Sequence, residues 1–336
     1  MRRLLASMLV FVLLLAAAAG ALGWYGSRHH LPQRQMDDAW LAGDGCFLFL
    51  GDSRMVAAFD AAALHQELRR SGADRCHAQL AIGGTDVGGM FLTARAYLSH
   101  GRRPVAAVIG KVGDSLLGMA PLRPEDMTAN NAIHLVWSRP GDVYSEVPGF
   151  PGKNVDAFDA GWRFLLARAT PLGRYQSLVS VRVQRLGAWL TGEATTAQNQ
   201  FGALGDMAAL EDTFRSRGQT NLAQAMNGSP DARLGRWFGQ LLQLLDQDGV
   251  IPIVVELPMR LAYRRAVMAT PTAAAYQQWL SNELARRGGT LLDLSTAPWV
   301  ADQLFTDQLH LGAAGAALVS AEMGKYLGER LARRPP

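Results

Sequence analysis

The chain has 336 residues, 49% hydrophobic and 18% charged, enough apolar material for a full-sized core, which excludes a disordered chain. Its formal charge of +4 and pI near 9.3 come from arginines scattered along the sequence, without runs of like charge or interleaved aromatics, so no nucleic-acid binding is expected. Two cysteines, Cys46 and Cys76, and scattered histidines make neither a metal cage nor a redox motif, so neither a metal nor a cofactor is expected.

In chain order, Met1-Arg2-Arg3 precedes an uncharged, mostly apolar stretch from Leu4 to Trp24, long enough to cross a bilayer as one helix. The positive-inside rule keeps Arg2 and Arg3 cytoplasmic, with Trp24 and Tyr25 at the far interface. The expectation is a single-pass anchor, 1–26, in the cytoplasmic membrane, with the remainder facing the periplasm or cell exterior. The small residues Ala16 to Ala21 would also suit a cleaved signal peptide, and a buried core helix shares this composition. The apolar run exceeds the roughly 7–15 residues of a signal core, which favours an uncleaved anchor.

Residues 27–45 read as a polar connector. Cys46 to Leu50 is then a short buried strand and Met55 to Arg70 a helix ending at Gly72, so the turn between them holds Gly51, Asp52 and Ser53. A second strand spans about Arg75 to Ile82, followed by Gly83-Gly84 and a helix from Val87 to Leu98; a third spans Val105 to Ile109. Each cysteine opens a strand, so parallel neighbouring strands would bring the two sulfurs within disulfide reach, although two reduced core cysteines fit equally.

From Lys111 to about Pro230 glycines and prolines punctuate a loop-like stretch, and helical patterning returns near Ala157–Ala169 and Tyr175–Leu190; this region reads as a cap inserted into the sheet domain. The alternation resumes with a helix over Arg233–Leu245, a strand over Val250–Val255, a helix over Thr272–Arg287, a strand over Thr290–Leu294 and a closing helix over Ala313–Leu331. Continuous apolar strands alternating with helices predict an α/β fold: a flavodoxin-like three-layer sandwich over 46–335 with a mostly parallel sheet and a cap at about 111–230.

In such sheets ligands bind beyond the carboxyl ends of the strands, where Ser53, Gly83-Gly84, Asp114, Glu256, Asp307 and His310 are all expected. A serine on a tight strand-to-helix turn has its hydroxyl exposed, with backbone N–H groups facing the same space for a developing oxyanion. Serine needs a base to take its proton and a carboxylate to hold that base. Asp307 and His310, three residues apart in Phe305-Thr-Asp-Gln-Leu-His-Leu-Gly, supply both. Arg54, Asp114, Glu256 and Arg260 are candidate substrate contacts, which together would favour an acidic or phosphate-bearing acceptor.

At these residues the chain resembles the SGNH, or GDSL, hydrolase superfamily: Gly51-Asp52-Ser53 matches its first block and Asp307-Gln-Leu-His310-Leu its last. The resemblance covers about Cys46 to Leu331 and implies Ser53 as nucleophile, completed by His310 and Asp307. It also implies an oxyanion hole from the Ser53 N–H and Gly83, with Gly84 the alternative. The family's third block ends in Gly-x-Asn-Asp, whereas this chain reads Ile109-Gly-Lys-Val-Gly-Asp114-Ser115, without the asparagine donor; Lys111, Ser115, Asn130 and Asn131 are the replacements considered. Gly113-Asp114-Ser115 is a second, lower-ranked Gly-Asp-Ser turn.

Anchor and insertion together resemble the subgroup that modifies cell-envelope polymers, which includes alginate-acetylation proteins and the teichoic-acid D-alanylation protein. That likeness implies an acyltransferase moving an acyl group, acetyl by expectation, through Ser53 to a hydroxyl of an envelope polysaccharide, partnered by a membrane-bound O-acyltransferase. A periplasmic esterase or deacetylase with the same triad, and a noncatalytic scaffold of an envelope complex, are the rival expectations.

Overall fold

The computed structural model describes residues 2–29, 31–83, 85, 87–111, 170–171, 233–261, 264–265, 271–307 and 310–332. By contacts the chain forms two units, Met1–Asp37 with Leu122–Thr196, and Asp38–Pro121 with Ala197–Pro336. In the first, α1 (Arg2–His29) is a long helix whose Ser7–Tyr25 stretch has 19 residues and a mean hydropathy of 2.1, apolar and long enough to cross a membrane. Within the expected connector the chain is helical again over α2 (Leu31–Leu41).

The second unit holds the sheet. Strands β1 (Phe47–Leu50), β2 (His77–Gln79), β3 (Ala106–Lys111), β4 (Ile251–Glu256) and β5 (Thr290–Asp293) run in the order β2-β1-β3-β4-β5, and every pairing is parallel. This order is that of the flavodoxin-like doubly wound sheet. It reverses direction after β2, so right-handed crossovers put the connecting helices on opposite faces. On one face α4 (Ala61–Arg70) packs against α8 (Ala313–Ala332); on the other α5 (Val87–Ser99) packs against α6 (Arg233–Gln247), while α7 (Pro271–Ala285) leads into β5.

Strand alternation divides the core accordingly. Phe47, Phe49, Val108, Ile253 and Val255 join Leu64 and Leu68 of α4 and Val319, Met323 and Leu327 of α8, all buried. Each such side chain contributes roughly 1.5–3 kcal/mol of burial. Small residues let α8 approach α4 closely: a Cβ on Gly324 would lie 2.7 Å from the Leu64 carbonyl oxygen. Ser320 Oγ, in the same stripe, donates to the Ala58 carbonyl at 3.1 Å and accepts from the Asp60 N–H at 2.7 Å.

That contact explains a departure from the expected single helix over Met55–Arg70. The chain forms α3 (Ser53–Ala57), breaks at Ala58–Asp60, and restarts as α4 with Asp60 as N-cap, its Oδ1 accepting from the Ala63 N–H at 3.0 Å. The cap and the long-range bond to Ser320 outweigh helix continuity. Strand β2 is shorter than the expected Arg75–Ile82. Even so, the Leu80 and Ile82 N–H groups still donate to the Phe49 and Gly51 carbonyls at 2.8 and 3.0 Å, so the chain follows β1 to its end.

Cys46 and Cys76 precede the paired Phe47 and His77 and are joined by a disulfide, with Cα atoms 4.5 Å apart. At this same N-terminal edge of the sheet, Trp40 stacks on His100 at 4.2 Å and the Arg103 N–H donates to Asp44 at 3.0 Å. The expected cap, 111–230, lies outside the described residues apart from Lys111, Thr170 and Pro171; Asp114, Ser115, Asn130 and Asn131 fall there, and Gly84 is also outside.

Candidate active site

Ser53 opens α3 directly after β1, the interior strand at which the sheet order reverses and where doubly wound sheets place ligands. Two glycines allow so tight a turn: a Cβ on Gly51 would lie 2.4 Å from Met55 Cβ, and one on Gly110 of the neighbouring β3 would lie 2.6 Å from Met55 Sδ. Met55 therefore seats α3 over the ends of two strands. Asp52 is the N-cap, its Oδ1 accepting from the Arg54 N–H at 2.9 Å. The Ser53 N–H, in the first turn, has no intrahelical acceptor.

The partner groups come from the loop before α8. There Asp307 Oδ1 accepts from the His310 backbone N–H at 2.8 Å, closing a four-residue turn, while Asp307 Oδ2 lies 2.8 Å from His310 Nδ1. The other ring nitrogen, Nε2, is 2.9 Å from Ser53 Oγ, across 257 residues of sequence. The turn is clamped at its base. Phe305 and Leu311 form an antiparallel bridge, the Thr306 N–H and hydroxyl donate to the His310 carbonyl at 2.9 and 3.1 Å, and the Gly312 N–H donates to the Leu304 carbonyl at 2.8 Å. These bonds leave the imidazole little freedom to swing away from Ser53.

All three residues are half-buried, the side chains of His310 and Asp307 being 21% and 24% exposed. With Asp307 on Nδ1, His310 presents the unprotonated Nε2 to the serine hydroxyl. Gly83 sits in the turn after β2, where the Thr85 N–H donates to the Ile82 carbonyl at 3.1 Å; a Cβ there would be 3.6 Å from Ser53 Cβ. The resemblance implies Gly83, with Gly84 the alternative, as an oxyanion-hole residue, and Gly84 lies outside the described residues.

The substrate-contact candidates separate. Arg54 turns onto Asp52, its Nε 2.8 Å from Oδ2. Arg260 lies 3.5 Å from Asp302, at the same edge of the sheet as the site. Glu256 needs correction: it is fully buried at the end of β4, paired with Lys111 of β3 and accepting from Gln277 Nε2 at 2.9 Å, so it contacts no open groove. Lys111, considered above as an oxyanion donor, is equally buried in this pair, 5.2 Å from the Tyr276 ring centroid. One sequence signal marked them: Lys111 and Glu256 are charged residues ending two otherwise apolar strands. Sequence reasoning missed the loop clamp at Thr306 and the Met55 seat on Gly51 and Gly110.

No protein-family model and no curated protein matches the chain. Among solved structures it is similar to a Bacteroides fragilis protein described as a "putative acylhydrolase", at 11% identity and a TM-score of 0.37, covering 90% of this chain and 97% of that one. A likeness at this level carries no argument about chemistry.

Proposed function

We propose that the protein is an SGNH-type serine enzyme that forms an acyl-enzyme at Ser53 and passes the acyl group to a hydroxyl. The observation that carries this reading is the continuous relay from Asp307 through His310 to Ser53, with links of 2.8 and 2.9 Å. Ser53 Oγ attacks the acyl carbonyl carbon while His310 Nε2 takes its proton. The oxyanion forms against the N–H groups of Ser53 and Gly83. His310 then protonates the leaving group, and in the second half-reaction removes the proton of the incoming hydroxyl, whose oxygen displaces Ser53.

The finer reading is an acyltransferase outside the cytoplasm, moving an acetyl group from a membrane-bound O-acyltransferase to an envelope polysaccharide. It is supported by Arg2 and Arg3 ahead of the apolar Ser7–Tyr25 helix and by the disulfide of Cys46 and Cys76, a bond favoured in oxidising compartments. Water as acceptor makes the same site an esterase, which the partial exposure of the triad also suits.

A fluorophosphonate probe followed by peptide mapping should label Ser53 in the wild-type protein. Ser53→Ala should abolish labelling and lower p-nitrophenyl acetate turnover by about 10,000-fold or more. Label on another residue, or wild-type turnover in Ser53→Ala, ends the proposal. Polymer hydroxyls that divert the acyl group from water would separate transfer from hydrolysis.

A further inference from the structure

Helix α8 meets the helix of Ser53 twice. His310 stands just before its first residue, Ala313, with Nε2 2.9 Å from Ser53 Oγ. Ser320 lies about two turns further on, some 10 Å along the axis, and is the polar member of the buried stripe that runs from Gly315 to Gly328. It is fully buried. Its Oγ donates to the Ala58 carbonyl at 3.1 Å and accepts from the Asp60 N–H at 2.7 Å. Ala58 is the C-cap of α3, the helix that Ser53 opens. That helix is short and internally tied, the Val56 N–H donating to the Asp52 carbonyl at 3.1 Å and the Ala58 N–H to the Arg54 carbonyl at 2.9 Å, so its two ends move together.

Nothing in the local sequence keeps α3 apart from α4. Residues 53–70 contain no glycine or proline, and Ala58 still has helical backbone angles, φ −91° and ψ −3°; the break comes where Asp60 turns extended, at φ −126° and ψ 108°. In a continuous helix the Asp60 N–H would donate to the Val56 carbonyl, and the Ala58 carbonyl would accept from the Ala62 N–H. The break frees both groups, and the Ser320 hydroxyl meets both. Without it they lose their partners beside a fully buried Ala58, and the remedy within reach is a helix that runs on from α3 into α4. Such a change swings the axis of α3 and carries Ser53 with it.

We infer that Ser320 is a positioning residue: by holding the break between α3 and α4, it fixes the helix of Ser53 to the helix that follows His310, and so sets the approach of the hydroxyl to the imidazole. This rests on the reading of Ser53 as nucleophile and adds a residue that acts through it, without touching the reacting atoms. A reaction that requires contact geometry loses rate steeply with small displacements of the nucleophile, whereas substrate binding loses less.

The test compares full-length variants in detergent micelles, each well below its own Tm, by p-nitrophenyl acetate kinetics and by the rate of fluorophosphonate labelling at Ser53. Ser320→Ala should lower kcat and the labelling rate by about tenfold or more, with KM changed by less than about twofold. Val319→Ala removes buried volume from the same helix without touching the hydroxyl; it should lower Tm at least as much and leave kcat near wild type. Ser320→Cys keeps the volume with a weaker donor and acceptor and should fall between Ser320→Ala and wild type. Wild-type kcat in Ser320→Ala, or in Ser320→Cys should the alanine variant not fold, overturns the positioning role. So does an equal loss of kcat in Val319→Ala, which would assign the effect to packing. Failure of the Ser53 reading shows separately, as absent labelling of the wild-type protein.

Discussion

Two charged clusters stand at the carboxyl edge of one sheet, and access to water distinguishes them. After β1, Ser53, His310 and Asp307 are half-open and held by hydrogen bonds of 2.8 and 2.9 Å. At the ends of β3 and β4, Lys111 and Glu256 are fully buried, with Gln277 donating to the carboxylate at 2.9 Å. The open cluster keeps a hydroxyl and an imidazole in hydrogen-bond contact beside solvent. The sealed one gives up reactivity and ties β3, β4 and α7 together at the level where the chain enters 112–232. Charge near a site is therefore not itself evidence of contact with substrate; burial decides which role a charged group has.

The strongest way to break this comparison is to unbalance the sealed pair. Glu256→Ala leaves the Lys111 ammonium buried without its carboxylate and should lower stability by about 3–5 kcal/mol in urea denaturation. Replacing both, Lys111→Met with Glu256→Leu, should recover most of that loss, because an apolar pair of similar volume needs no desolvation of charge. Recovery by the double variant would mark the pair as structural. A single variant as stable as wild type would refute the sealed description.

A smaller effect is expected at the seat of the open cluster. Gly51→Ala puts a Cβ 2.4 Å from Met55 Cβ, too close for any packed pair, so α3 must shift and carry Ser53 with it. Displacement by about 1 Å should cost roughly 100-fold in turnover, with KM changed less than kcat. Unchanged turnover in Gly51→Ala would mean that α3 does not depend on the contact.

Most of the open cluster was legible in the sequence because it is local. Gly51-Asp52-Ser53 follows a run of apolar residues that reads as a buried strand, and Asp307 and His310 share one turn, so two of the three residues required no long-range inference. The order of strands and helices was legible for the same reason, since apolar runs and glycines punctuate it. What escaped depends on tertiary contact. The break at Ala58–Asp60 follows from Ser320, distant in sequence, and burial of Glu256 follows from the alignment of β3 with β4, which places Lys111 beside it. The role of Gly110 as half of the Met55 seat also requires the strand pairing.

A third cluster, half-buried like the first, gives the smallest test. His65 Nε2 of α4 is 2.8 Å from His77 Nδ1 of the edge strand β2, with Phe49 and Phe59 around the His77 ring, so one imidazole donates and the other accepts. Burial, and secondarily the neighbouring His65, push His77 below the ordinary histidine value of 6.5. A lowered folded value means the native state takes up the proton later than the unfolded chain does. Stability is then undiminished above about pH 6.5, falls as pH drops toward the folded value, and loses nothing further below it. Denaturation between pH 7.5 and 5 should show this loss in the wild type, and His77→Phe should reduce the slope while leaving the behaviour above pH 7 nearly unchanged. An identical slope in both proteins would show that His77 accepts a proton as readily in the folded chain as in the unfolded one.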